Sequence, residues 1–219
     1  MEIKAVIFDM DGVISHTNPH HSKAFEKVFA KRGLYPTEEE YAAHMYGKNN
    51  RYIFTHFLNR EISESELNKL EEEKESLFRE IYQDIVEPID GLLPFLEDIY
   101  RQEKRIGVAT SAPRANMDLI IDRLSIRSKF MSLLASEDVN THKPDPEVYL
   151  RTADNLKVNP EDCLVFEDSA SGVQAAINAN MKVVGVLSSH HPTELPTCDF
   201  YIDNYLDPQM DKIGEILNI

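Results

Sequence analysis

Cysteine is scarce in this 219-residue chain: only Cys163 and Cys198 occur, far apart and without the short spacing of a metal ribbon. A disulfide scaffold or zinc ribbon therefore has no support, and a reducing cytoplasm is the expected location. Basic residues are also in deficit, with 23 Lys and Arg against 38 Asp and Glu, for a formal net charge of −15. Nucleic acid and anionic lipid are both held by neutralising Lys and Arg, so neither is an expected partner. The same charge means that a phosphate-bearing substrate needs local positive help. There is no apolar run of about 18 residues or more, and residues 1–12 show neither the basic start nor the cleavage site of a secretory leader. Membrane spanning and secretion are not expected. Internal repeats and low-complexity tracts are absent as well. What remains is 42% hydrophobic, over a length that suits one large core or a core with a smaller inserted domain.

Residues 3–8 form a short apolar run ending at Asp9, the pattern of a buried parallel strand. Asn18 is placed to cap a helix with Pro19 in its first turn, Ala24, Phe25, Val28 and Phe29 on its apolar face, and Gly33 as its stop. Thr37 with Glu40 makes a capping box for a helix running to about Tyr46, where Gly47 can take the left-handed terminal position. A second box, Ser63 with Glu66, opens a long helix with Leu67, Leu70, Leu77, Phe78 and Ile81 on one stripe. Past Pro88 strands and helices alternate. A helix carrying Leu92, Leu96 and Ile99 precedes a strand at 105–109, and a helix carrying Met117, Ile120, Ile121 and Leu124 follows it; further strands fall at 131–135, 163–166, 183–187 and 199–202. Such alternation predicts an α/β fold: a doubly wound, Rossmann-like parallel-sheet core over residues 1–15 and 87–219, with an inserted all-helical domain over 16–86.

In open parallel sheets, ligands bind beyond the carboxyl ends of the strands. The unusual residues lie there: Asp9-Met10-Asp11-Gly12, Thr110-Ser111, Lys143-Pro144 and Glu167-Asp168. Taken singly, each has a structural reading as turn, cap or linker. Taken together, they describe one strongly negative cleft. Carboxylates this close cannot all ionise without a cation, and hard oxygen ligands call for Mg²⁺, with Lys143 as a second positive element. Asp9 is the candidate nucleophile toward phosphorus, and the Thr110 hydroxyl, backbone amides and Lys143 are the candidate donors to a phosphoryl group in transfer.

Phe8-Asp9-Met10-Asp11-Gly12-Val13, Val108-Ala109-Thr110-Ser111, Lys143-Pro144-Asp145-Pro146 and Phe166-Glu167-Asp168-Ser169 with Gly172 stand in the order of four family motifs. On them, nearly the whole chain resembles the haloacid dehalogenase-like superfamily, in the branch of β-phosphoglucomutase and small sugar-phosphate phosphatases. The resemblance implies Asp9 as nucleophile and Asp11 as general acid/base that also lends its carbonyl to Mg²⁺. Thr110 and Lys143 would hold the phosphoryl group, and Asp168 with Glu167 would serve the metal. The helical insertion is then a mobile cap. Ser111, a cap-hinge His21, the loop residues Gly47, Lys48 and Arg51, and Lys74 of the long helix are the implied substrate contacts. His16 departs from the pattern, since the branch commonly has an acidic residue there. A metal site built on His16, His20 and His21 is not expected, for want of ligand spacing.

The expected function is Mg²⁺-dependent hydrolysis of a small phosphorylated metabolite, a sugar phosphate first, by a monomer. A phosphosugar mutase is the alternative, and pyrophosphate hydrolysis a third. The core motifs do not separate them, but residues 47–51 match the mutase's loop only loosely, which favours the phosphatase. Dehalogenation would need neither Mg²⁺ nor Asp11 and Asp168, and a silent binding module would not fill every chemical role. Lys74 interrupts the apolar stripe of the long helix. Either its ammonium snorkels to water or it contacts the substrate's distal part.

Overall fold

The computed structural model describes residues 2–45 and 50–219. The expected helix end at Tyr46 and the expected substrate contacts Gly47 and Lys48 lie outside the described residues. The chain divides into two compact units, Met1–His16 with Val86–Ile219, and Thr17–Ile85.

In the first unit, six strands form one sheet among the described residues: β1 Ala5–Phe8, β2 Arg105–Ala109, β3 Ser132–Leu134, β4 Cys163–Glu167, β5 Lys182–Val186 and β6 Phe200–Ile202. Their order is β3-β2-β1-β4-β5-β6, and every pairing is parallel. The continuous burial of β1 and β4 reflects helices on both faces, as parallel sheets require. Alternate residues serve alternate faces. Ala5, Ile7, Cys163 and Val165 join a core with Val148, Tyr149 and Leu156 of α7 (Glu147–Leu156) and with Val173 and Ala176 of α8 (Ala170–Asn178). On the other face, Phe8 stacks on Phe166 with ring centroids 5.2 Å apart, and Phe95 of α5 (Leu92–Arg101) meets Phe166 at 5.5 Å and Tyr205 at 5.4 Å. Among the described residues, the remaining α-helices of this unit are α6 (Arg114–Arg123) and α9 (Met210–Leu217).

From β1 the sheet grows one way through β2 and β3 and the other way through β4, β5 and β6. The chain order therefore switches at β1 and β4, the position beyond whose carboxyl ends open parallel sheets bind their ligands. The register sets the depth of that site. Phe8 pairs with Val108 and with Phe166, so the next positions, Asp9, Ala109 and Glu167, stand level across three neighbouring strands.

The second unit holds α1 Asn18–Ala30, α2 Glu38–His44, α3 Asn50–Leu58 and α4 Glu64–Tyr82. The Thr37 box forms as expected, with Thr37 Oγ1 accepting from the Glu40 amide at 3.2 Å and Glu40 accepting from the Thr37 amide at 2.7 Å. At α1 the expectation needs correcting. Asn18 is the first helical residue rather than the cap, Thr17 takes the cap position, and no side-chain cap bond forms. The buried stripe of α4 is Leu67, Leu70, Lys74, Glu75, Phe78 and Tyr82, whereas Leu77 and Ile81 are only half-buried. Steps of four from Leu70 run through 74 and 78 to 82, which leaves 77 and 81 on the shoulder of the face.

Lys74 does not snorkel. It is 4% exposed, donates to Glu75 at 2.7 Å, stands 2.9 Å from His21 Nδ1, and lies over the Phe25 ring at 4.9 Å. The His21 ring in turn stacks on Phe78 at 3.8 Å. Because the ammonium can only donate, Nδ1 of His21 must accept, which puts the ring proton on Nε2. Lys74→Met is therefore expected to lose about 3–5 kcal/mol of stability, since it breaks the buried Lys74–Glu75 ion pair. Thermal unfolding checks this, and Lys74→Met with Glu75→Gln should recover part of the loss. An unchanged melting temperature in the single variant would show that the pair contributes nothing.

The connections between the units are tied within the core. Ser15 Oγ donates to the Glu87 carbonyl at 2.5 Å, the Ile89 amide donates to Ile14 O at 3.0 Å, and Ser15 bridges to Pro88.

Candidate active site

Asp9 extends β1 by one bond, its amide donating to Phe166 O at 3.0 Å. The chain then turns tightly: Met10 O accepts from Ile14 N at 2.8 Å, and Gly12 adopts φ +70°, with its amide on Ser15 O at 2.9 Å. Gly12 is required twice over, because a Cβ there would meet Asp168 Oδ2 at 2.2 Å as well as strain the backbone. At the end of β2, the Thr110 amide donates to Leu134 O at 3.0 Å, and the buried hydroxyl accepts from Ala112 N at 3.0 Å. Ser111 beside it is exposed.

Lys143 arrives on the connection from β3 to α7. That loop is shaped by Glu147, whose carboxylate accepts from Asn140 N, Thr141 N and Thr141 Oγ1 and is held down at about 2 by these bonds, the Thr141 hydroxyl first. The depression means that this contribution to folding is present above the ordinary 4.5 and fades as pH falls toward 2. The ammonium of Lys143 reaches Asp9 Oδ1 at 2.7 Å, Ala109 O at 3.0 Å and Glu167 Oε1 at 2.5 Å. Its three protons thus meet the three residues that the register sets level. Burial pushes Lys143 toward neutrality, but Asp9 and Glu167 outweigh it and hold the side chain as ammonium. Asp9 is raised well above the usual carboxylate range, by burial first and then by Glu167, Asp168 and Asp11, with Lys143 opposing. Several carboxylates share one internal cation, and that imbalance favours a second positive charge.

Glu167 is held on both oxygens. Oε1 also accepts from Tyr149 OH at 2.8 Å, and Oε2 accepts from Ser169 N at 3.0 Å and Ser169 Oγ at 3.1 Å. Gly172 makes room for this carboxylate, since a Cβ there would lie 1.7 Å from Oε1. Gly172→Ala is accordingly expected to cost about 1–3 kcal/mol by overpacking, read as a lower melting temperature. Wild-type stability would mean that Glu167 has another place to go.

Asp9, Glu167 and Asp168 bring carboxylate oxygens within 4.8 Å of one another, all buried. An all-oxygen, mostly anionic donor set of this kind fits a hard divalent cation. Asp11 lies half-buried on the turn and is not in that group. The structure thus brings together Asp9, Lys143, Glu167 and Asp168, with Thr110 next to Ala109. His21 and Lys74 pair with each other in the helical unit, where Arg51 donates to Ile62 O at 3.2 Å and pairs with Glu64. His16 is exposed. Sequence reasoning missed Tyr149, and it missed Ser188, Ser189 and His190 after β5, although the strand-end rule covers that position too.

Residues 6–186 match the haloacid dehalogenase-like hydrolase family, and the chain belongs to it. A phosphorylated carbohydrates phosphatase of Thermotoga maritima is 33% identical over 192 residues, covering 85% of this chain and 87% of the relative. Among solved structures, a HAD hydrolase of family IA, variant 3, from Entamoeba histolytica is 26% identical over the full length of both chains, with a TM-score of 0.90. The β-phosphoglucomutase of Clostridium difficile, also 26% identical, covers 99% of this chain and 97% of its own, with a TM-score of 0.78. Among the described residues, no helix is long and apolar enough to cross a membrane. Both cysteines are free and buried.

Proposed function

We propose that this haloacid dehalogenase-like phosphatase hydrolyses a small sugar phosphate through a phosphorylated Asp9. The observation that carries this reading is the ammonium of Lys143, shared between Asp9 and Glu167 at the switch point of the sheet. A carboxylate oxygen of Asp9 forms a bond to phosphorus while the ester P–O bond breaks, and Asp11 supplies the proton that the departing sugar oxygen needs. In the second step Asp11 takes a proton from water, the water oxygen bonds to phosphorus, and Asp9 is released as carboxylate with inorganic phosphate. Lys143 and the Thr110 hydroxyl face the charge that spreads over the phosphoryl oxygens. Mg²⁺, held by Asp9 and Asp168 with Glu167 beside them, would supply charge neutralisation at the same oxygens. His21, Arg51 and Lys74 of the helical unit are the sugar contacts that the family resemblance implies. The Thermotoga relative, named for phosphorylated carbohydrates, supports this substrate class.

The test is phosphate release across sugar phosphates, nucleotides and pyrophosphate with Mg²⁺, together with an assay for interconversion of β-glucose 1-phosphate and glucose 6-phosphate. Release from sugar monophosphates is expected; interconversion without release would make the chain a mutase. Activity should vanish in excess chelator. Ca²⁺ should inhibit, because its longer bonds and larger ligand number misplace the nucleophile. Full turnover in chelator would overturn the metal's part.

A further inference from the structure

We infer that Ser188-Ser189-His190, the turn that follows β5, is a positioning element of the cation site. It holds Asp168 and the Asp9–Gly12 turn in one arrangement. The inference rests on the reading of Asp168 as a metal ligand given above.

Ser189 Oγ lies 2.5 Å from Asp168 Oδ2 and 3.2 Å from the Asp168 carbonyl. A hydroxyl has one proton and an ionised carboxylate can only accept, so the proton goes to Oδ2. The carbonyl is then served by His190 Nδ1, 3.0 Å away, which puts a proton on that nitrogen. His190 Nδ1 is also 2.9 Å from Ser189 Oγ, whose lone pairs can accept from it. Asp168 is thus gripped at its backbone and at one carboxylate oxygen by two consecutive residues. Fixing one oxygen fixes the plane of the carboxylate, and with it the direction of the other.

Ser188 reaches the second limb of the site, its Oγ donating to Gly12 O at 2.6 Å. The fit is close, since a Cβ on Gly12 would meet both Asp168 Oδ2 and, at 2.7 Å, Ser188 Oγ. Register brings these groups together: β5 lies beside β4, with Glu167 opposite Gly185, so the turn leaving β5 passes alongside Asp168. Residues that orient metal ligands without touching the metal typically change metal affinity about 10- to 100-fold when removed.

Calorimetric titration of the full chain with Mg²⁺, and with Mn²⁺ as a second probe, tests this without reference to turnover. Ser189→Ala is expected to keep its fold by circular dichroism and to bind Mg²⁺ about 10- to 100-fold more weakly, with Ser189→Thr restoring most of the affinity because the hydroxyl is retained. Equal affinity in wild type and a folded Ser189→Ala would overturn the inference while leaving the cation site in place. A wild-type chain that binds neither metal would overturn the reading of the site itself, and the inference with it. If Ser189→Ala does not fold, Ser189→Cys, of similar size and with a weaker donor, takes its place with the same two outcomes.

Discussion

Asp9→Asn is expected to reduce phosphate release by on the order of 10⁴- to 10⁶-fold, the scale seen when an attacking group is removed from a preorganised site. The amide keeps the shape of the side chain and can still accept from Lys143, but it offers no anionic oxygen to phosphorus. Its effect on stability should run the other way. Burial already works against the Asp9 carboxylate, and Glu167 and Asp168 add to that pressure. Neutralising the position is therefore expected to leave the melting temperature unchanged or raise it. Near-native turnover in the purified variant would rule out a phosphorylated Asp9, whereas a large fall in melting temperature would mean that the Asp9–Lys143 pair stabilises more than its desolvation costs.

Lys143→Met should be damaging on both counts. Methionine fills similar volume, but Asp9 and Glu167 lose their shared cation in a site where the lysine is 4% exposed, and breaking such a pair costs about 3–5 kcal/mol. Turnover should fall about 10²- to 10³-fold, as for the loss of one donor to a transition-state oxyanion. The stability loss also has a pH signature. Without the ammonium, burial raises Asp9 with less to oppose it, so the penalty is greatest near neutrality and shrinks as pH falls and Asp9 takes up a proton. Denaturation at several pH values would show this slope. A solvated lysine before Pro144 would predict wild-type behaviour throughout.

Much of this site was legible in the sequence because strand ends are conspicuous. An apolar run that stops at Asp9, or at Glu167-Asp168, marks both an element boundary and a charge that the core does not want. Lys143 carries the same signal more weakly, in a loop with no periodicity, and its three acceptors follow only from the strand register, which no spacing encodes. Tyr149 reads as one more apolar position on α7, although its hydroxyl is what meets Glu167. Ser188 to His190 are ordinary turn residues by type, and only their closeness to Asp168 and Gly12 gives them meaning. In the long helix the period places Lys74 on the buried face correctly. The partner that settles its state, Glu75, is its immediate neighbour, and adjacent residues do not share a helix face by the usual count. Pattern alone therefore suggested water as the ammonium's destination where a carboxylate was at hand.

The paired connections at Ser15 and Glu87, and at Ile14 and Ile89, bear on the length of the inserted segment. They bring the two ends of the inserted segment to one spot, so the sheet experiences residues 17–85 as a loop that is already closed. Lengthening such a loop costs little, about 0.6 kcal/mol for each doubling. The helical segment can therefore grow or shrink at little cost to the sheet that carries the carboxylate and lysine cluster. A change of length within residues 17–85 reaches the sheet only weakly.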